Sequence, residues 1–203
     1  LVTDSRLSRG GSLHDVREAL RAGCRIVQYR EKDRDTRTMV EEAAAIRDLC
    51  GERAIFIVND RVDVALAVDA DGVHIGQDDM PYMHARRLMG AGKIIGVTVH
   101  DDVEAREAER LGADYVGLSP VFATGTKSDA GSPCGVGMVR LARENVALPI
   151  VAIGGITKGN VAEVIGAGAD SAAAISAVVC AEDVFRETSE FRKLIRNNRR
   201  RGE

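Results

Sequence analysis

The sequence predicts an α/β fold, a single (β/α)8 TIM barrel over residues 1–203, and three observations predict it. Short apolar runs alternate with amphipathic helical patterns along the whole chain, the order that a parallel sheet with helical crossovers requires. A signature recurs where the helical patterns close: Ala22-Gly23-Cys24, Asp69-Ala70-Asp71-Gly72, Leu111-Gly112-Ala113-Asp114 and Ala167-Gly168-Ala169-Asp170. Its glycines suit the left-handed position just past a helix. Finally, no break in composition divides the 203 residues, a length that fits one well-buried domain and is short for two. A doubly wound open sheet would show the same alternation, but no Gly-x-Gly-x-x-Gly follows the first strand.

The expected strands are 1–3, 25–29, 54–58, 72–75, 93–97, 115–118, 150–153 and 171–175. Each is short, apolar and rich in β-branched residues, as buried parallel strands are. Helical patterns lie between them at 12–21, 36–49, 62–68, 81–89, 102–110, 137–143, 158–165 and 183–196. The run from Pro149 to Ser176 shows the repeating unit best. PIVAI reads as a strand, Gly154-Gly155 as a turn that admits close backbone approach, and Thr157 as the cap of a helix that presents Val161, Val164 and Ile165 on one face. Ser171 to Ile175 then returns as a parallel strand with a right-handed crossover. The last residues, from about 197, form a basic tail that reads as a frayed, solvated terminus.

Composition removes several classes of function. Aromatic residues are 3% with no Trp and the formal net charge is −3, so neither a base-stacking surface nor attraction to nucleic acid is expected. No apolar run approaches the roughly 20 residues of a membrane span. Cys24, Cys50, Cys134 and Cys180 form no Cys-x-x-Cys pair, which argues against zinc and for reduced thiols. No secretory signal is visible, although the first residue is not a Met, and the expectation is a cytoplasmic protein. A homo-oligomer is compatible with all of this.

The residues that carry chemistry fall at strand ends. In Val27-Gln28-Tyr29-Arg30-Glu31-Lys32, alternation places Gln28, Arg30 and Lys32 on one face, inward at the C-terminal rim, while Val27 and Tyr29 pack under helices. Confined cations need counter-charge, which either a bound polyanion or a carboxylate paired to Arg30 supplies. Asn59-Asp60 and Gln77-Asp78-Asp79 end the next two strands. Asp60 and Asp79 can cap the following helices; alternatively, a divalent cation between them reconciles two carboxylates with a polyanion, as Mg²⁺ takes one or two carboxylates plus phosphate oxygens. Thr98 reaches the mouth from the fifth strand, Asp101 with Glu104 starts a helix as a capping box, and His74 and His100 read as structural. The long polar loop 124–135 offers Thr124, Thr126 and the mobile charge of Lys127. Gly155, Ile175 and Ser176 present backbone N–H groups and a hydroxyl, as in the phosphate cup of many barrels. Two anion sites imply two phosphorylated substrates brought together.

QYREK, NDR, GVHIGQDDMP, GVTVH, ADYVGLSPVFATGTK, AIGGI and AAIS, in this order, resemble the thiamine-phosphate synthase family over nearly the whole chain. The resemblance implies a (β/α)8 barrel that joins 4-amino-2-methyl-5-hydroxymethylpyrimidine diphosphate to 4-methyl-5-(2-hydroxyethyl)thiazole phosphate, releasing pyrophosphate with Mg²⁺. It implies that Gln28, Tyr29, Arg30, Glu31, Lys32, Asn59 and Lys127 hold the pyrimidine diphosphate, with Thr98 where the family usually has Ser. It gives Asp60 and Asp79 to Mg²⁺, and Thr124, Gly125, Thr126, Gly155, Ile175 and Ser176 to the thiazole phosphate. Lys127, Arg30 and Lys32 would stabilise the departing pyrophosphate. The rivals are a thiazole tautomerase of the same superfamily, which would not need the diphosphate-and-metal set, and a non-catalytic phosphate-binding barrel.

Overall fold

A computed structural model describes residues 1–126 and 131–199. The chain forms two compact units: Leu1–Ile95 with Ile175–Ser189, and Gly96–Ala174 with the stretch from Glu190 onward. Among the described residues seven strands are hydrogen-bonded in chain order, the first three parallel to one another and the last four likewise.

In the first unit, α1 (Ser12–Arg21) leads to β1 (Ile26–Tyr29), then α2 (Thr36–Cys50), β2 (Ile55–Asn59), α3 (Val62–Ala67), β3 (Gly72–Ile75) and α4 (Tyr82–Met89). Asp35 caps α2 by accepting from Thr38 N at 3.1 Å, and Met39, Ala43, Ile46 and Cys50 form its buried stripe. Register places Gln28 beside Ile57 and Asn59 beside His74, so the polar ends of β1, β2 and β3 arrive together. The expected first strand is reduced to one parallel bridge, Val2 to Gln28, with Thr3 N donating to Gln28 O at 2.9 Å.

The second unit holds the greater part of β4 (Ile94–Val99), with α5 (Asp102–Leu111), β5 (Tyr115–Leu118), α6 (Gly135–Asn145), β6 (Ile150–Ala152), α7 (Val161–Gly166) and β7 (Ser171–Ala172). The strand expected over 171–175 ends at Ala172. Ala173 N makes one more bond to Ala152 O (2.9 Å), and the chain then turns at Ile175 (φ −110°, ψ −89°) into α8 (Ser176–Val179), a turn of helix that the sequence pattern did not reveal. The last helix, α9 (Val184–Arg199), stays helical through Arg199, past the point where fraying was expected. No helix among the described residues is long and apolar enough to cross a membrane.

The recurring signature has one structural explanation. Cys24 N, Ala70 N, Ala113 N and Ala169 N each donate to the carbonyl five residues earlier, at 2.9–3.1 Å. The residue before each has positive φ: Gly23 (86°), Asp69 (50°), Gly112 (91°) and Gly168 (108°). This is the left-handed helix stop with its six-to-one bond, and at Asp69 a non-glycine residue occupies it. The Asp that follows works on the preceding strand. Asp71 Oδ2 accepts from Phe56 N (2.7 Å) and Asp170 Oδ2 from Ile150 N (2.8 Å).

Candidate active site

In the first unit, β1 delivers its cations as alternation requires, and each finds a carboxylate. Arg30 Nη1 lies 2.6 Å from Asp4 Oδ2, with the two side chains 5% and 3% exposed. Lys32 Nζ lies 2.5 Å from Asp60 Oδ2, but this ammonium is 42% exposed. The intervening residues turn the other way. Tyr29 is buried with its hydroxyl on Glu42 Oε2 (2.9 Å), and Glu31 Oε1 accepts from Lys32 N (2.8 Å) and Asp33 N (2.9 Å). Burial opposes ionisation of Glu31, but the Ser5 hydroxyl and those two amides outweigh it and hold its carboxyl below the usual range. Both side chains expected at the pyrimidine diphosphate, Tyr29 and Glu31, are thus committed to partners within the protein.

Neither Asp60 nor Asp79 caps a helix. The caps of α3 and α4 are Arg61 and Pro81, without side-chain bonds. Asp60 follows Asn59, which is buried at the end of β2, and has a left-handed backbone (φ 62°) pinned by its N–H to His74 O at 2.7 Å. That conformation is costly for a non-glycine residue and clusters at functional sites. Asp79 Oδ2 accepts from Gly76 N at 2.7 Å. Burial pushes the Asp79 carboxyl up, and so does Asp60 within hydrogen-bonding reach, while Lys32 opposes the shift. Lys32 pairs with Asp60, and its charge partly offsets the rise at Asp79. An oxygen pair held against its own repulsion suits a hard divalent cation, so Asp60 and Asp79 fit Mg²⁺ by their chemistry.

The second unit builds its site from backbone. After β6, Gly154 (φ 92°) and Gly155 (φ 63°) turn beneath the segment that leaves β5. Val121 N donates to Ile153 O (2.9 Å) and Phe122 N to Gly154 O (3.1 Å). A Cβ at Gly154 would lie 2.6 Å from Pro120 Cα, and one at Gly155 2.5 Å from Ala123 O. Asn160, which the sequence did not single out, clasps this turn. Its Oδ1 accepts from Thr157 N (2.7 Å) and its Nδ2 donates to Gly155 O (2.9 Å). Thr157 is therefore not the cap; Asn160 holds that position and turns its side chain back. Thr124 Oγ1 accepts from Thr126 N (3.2 Å), with Gly125 exposed between them. Thr98 is half-buried in β4 opposite Gly117. Ile175 is buried and Ser176 exposed at the start of α8, in the first unit. Lys127 lies outside the described residues.

The remaining candidates are structural. Asp101 caps α5 by accepting from Glu104 N (2.8 Å), while Glu104 Oε2 takes His100 N (2.8 Å) and sits 2.9 Å from His100 Nδ1. This is a capping box closed one residue early. His74 is buried in β3. Asp4 was the other residue missed. It ends an apolar run as Asp60 does, and that pattern could have found it.

Parallel strands with acidic, cationic and glycine-turn residues at their C-terminal ends define an α/β protein of the class whose ligand sites lie at that edge of the sheet. The chain belongs to the thiamine monophosphate synthase family, whose sequence model matches residues 1–178. It is 61% identical to the thiamine-phosphate synthase of Methanosarcina barkeri, over 98% of this chain and 91% of that one. Against the thiamine-phosphate synthase of Chloroflexus aurantiacus it is 54% identical, over 96% and 91%. The solved thiamine phosphate pyrophosphorylase of Pyrococcus furiosus matches with a TM-score of 0.90 at 46% identity, covering 97% of this chain and 94% of that one.

Proposed function

We propose that this chain condenses 4-amino-2-methyl-5-hydroxymethylpyrimidine diphosphate with 4-methyl-5-(2-hydroxyethyl)thiazole phosphate to give thiamine phosphate and pyrophosphate. The observation that carries it is Lys32, Asp60 and Asp79 gathered at the ends of β1, β2 and β3. This set has no use in a monophosphate isomerase, but suits a leaving diphosphate. In this reading Gln28, Arg30, Lys32, Asn59 and Lys127 hold the diphosphate, and Tyr29 and Glu31 contribute only their backbone. Asp60 and Asp79 would hold Mg²⁺, which when bound neutralises charge on the departing group. Arg30, Lys32 and Lys127 donate to that group as the bond to the pyrimidine methylene breaks, and the thiazole nitrogen captures the resulting cation. No nucleophilic side chain is needed. Gly155, Thr124, Gly125, Thr126, Ile175 and Ser176 bind the thiazole phosphate through amides and hydroxyls, and Thr98 sits beside the pyrimidine. The same reading takes the chain as one (β/α)8 barrel domain in the cytoplasm that acts on two small phosphorylated substrates.

The test is pyrophosphate release from the two substrates, with and without EDTA. Release that needs both substrates and stops with chelator is expected. Turnover of the thiazole phosphate alone, or metal-independent turnover, would overturn the reading.

A further inference from the structure

The segment 3–6 is laced to the chain leaving β1 through Thr3, Asp4 and Arg6. Thr3 Oγ1 accepts from Arg30 N (2.9 Å) and donates to Arg30 O (3.2 Å). Asp4 pairs with Arg30, and Arg6 Nε lies 3.1 Å from Asp33 Oδ2. Asp4 is itself fixed in a turn. Its Oδ1 accepts from Arg6 N (3.2 Å), and its carbonyl accepts from Leu7 N (3.2 Å) and Ser8 N (3.0 Å). The carboxylate therefore cannot follow Arg30 if Arg30 moves.

Burying both charges is costly, and such a pair is recovered only by good geometry and full hydrogen bonding. Here the bonding is incomplete. Arg30 Nε is buried and has no partner. An unmet donor in a buried guanidinium is itself destabilising, and an incoming phosphate oxygen would relieve it. Because Asp4 already neutralises the guanidinium, Arg30 contributes directed N–H donors more than net positive charge.

We propose that Asp4 is a positioning residue for the condensation, holding the Arg30 guanidinium at a fixed angle so that its unmet donor meets the diphosphate. This rests on the assignment of Arg30 to the pyrimidine diphosphate. Four variants test it: Asp4→Ala, Asp4→Asn, Arg30→Ala and the Asp4→Ala/Arg30→Ala double. Each is measured for KM toward both substrates and for inhibition by pyrophosphate. Asp4→Ala raises the pyrimidine diphosphate KM and the pyrophosphate inhibition constant about 10- to 100-fold, with the thiazole phosphate KM within about twofold. Asp4→Asn, which keeps the shape and one acceptor, loses less. The double variant is no worse than Arg30→Ala, because Asp4 acts through that side chain. Losses that multiply in the double variant, or a KM raised equally for both substrates, would overturn the proposal. If Asp4→Ala does not fold, Asp4→Asn and the double variant, which leaves no stranded charge, carry the same comparison. If Arg30→Ala leaves the pyrimidine diphosphate KM unchanged, the assignment of Arg30 itself falls, and the positioning role falls with it.

Discussion

In the proposed reading, the first unit and the second hold anions by different means. The first uses charged side chains at three strand ends, Lys32, Asp60 and Asp79, each engaged with another charge or an amide. The second uses main chain, the Gly154-Gly155 turn locked under Pro120–Ala123 and clasped by Asn160. In that reading the contrast follows from what each binds. A leaving diphosphate gains charge as its bond breaks, so ions and mobile ammonium groups are matched to it. A phosphate that only has to be seated needs fixed N–H groups at the right distance, and backbone supplies those with least loss of side-chain entropy.

The largest expected effect tests the charged region. Asp60→Ala removes a proposed metal ligand at a left-handed backbone position (φ 62°), which Ala tolerates no better than Asp. Turnover should fall on the order of a thousand-fold, several kcal/mol of lost charge stabilisation, and the Mg²⁺ concentration for half-maximal rate should rise steeply. An unchanged metal titration would remove Asp60 from the site.

Next comes the backbone region. Gly155→Ala places a methyl 2.5 Å from Ala123 O and 2.8 Å from Phe122 Cβ, at φ 63°. Neither neighbour is a flexible side-chain end, so the turn itself must shift. The thiazole phosphate KM should rise about 10- to 100-fold while the pyrimidine diphosphate KM stays near its original value. If both rise together, the two regions do not divide the substrates as argued.

A smaller effect separates the two cations of β1. Lys32 is 42% exposed, and an exposed pair contributes only about 0–1 kcal/mol. Lys32→Gln should therefore leave thermal stability almost unchanged. It should weaken pyrimidine diphosphate binding about tenfold, the loss of one charge-assisted bond. Binding of Mn²⁺ to the protein alone should tighten a few-fold, because the ammonium no longer competes for Asp60. Calorimetry with the metal alone reads this directly, and weaker metal binding would contradict the competition.

Much of this was legible in the sequence. The period-two face of Gln28, Arg30 and Lys32, with Tyr29 opposed, follows from alternation alone, and the Gly/Asp-Ala signature is the same helix stop used four times. Other features were illegible because they depend on pairings that no periodicity encodes, whether distant or local. Asp4 acquires meaning only through Arg30, 26 residues on, and Glu31 is turned inward by amides that no periodicity announces. Propensity also misled at the helix starts. Asp60, Asp79 and Thr157 are good caps by residue type, but a tertiary bond to His74 and local bonds to Gly76 and Asn160 engage their side chains or backbone first. The outermost strands were read as full strands from apolar character, which does not report how few ladder bonds a strand end makes.

The smallest effect uses a carboxylate that lacks what Asp60 and Asp79 have. Asp15 in α1 is 1% exposed, and neither of its oxygens has a hydrogen-bond partner. Burial pushes its carboxyl up, partly opposed by Ser8 and His14. A carboxyl raised on folding binds its proton more tightly in the folded state, so ionising it costs stability as pH climbs through the folded value. Asp15→Asn keeps the shape without the charge. It should raise Tm at pH 7 by a few degrees, about 2–4 °C per kcal/mol at this chain length. The gain should shrink on acidification and vanish below about pH 4, where the carboxyl is protonated in both states. Activity should not change, since Asp15 belongs to neither anion-binding region. A pH-independent gain would trace the effect to packing, whereas a loss at pH 7 would mean that the buried charge has a partner which offsets its burial.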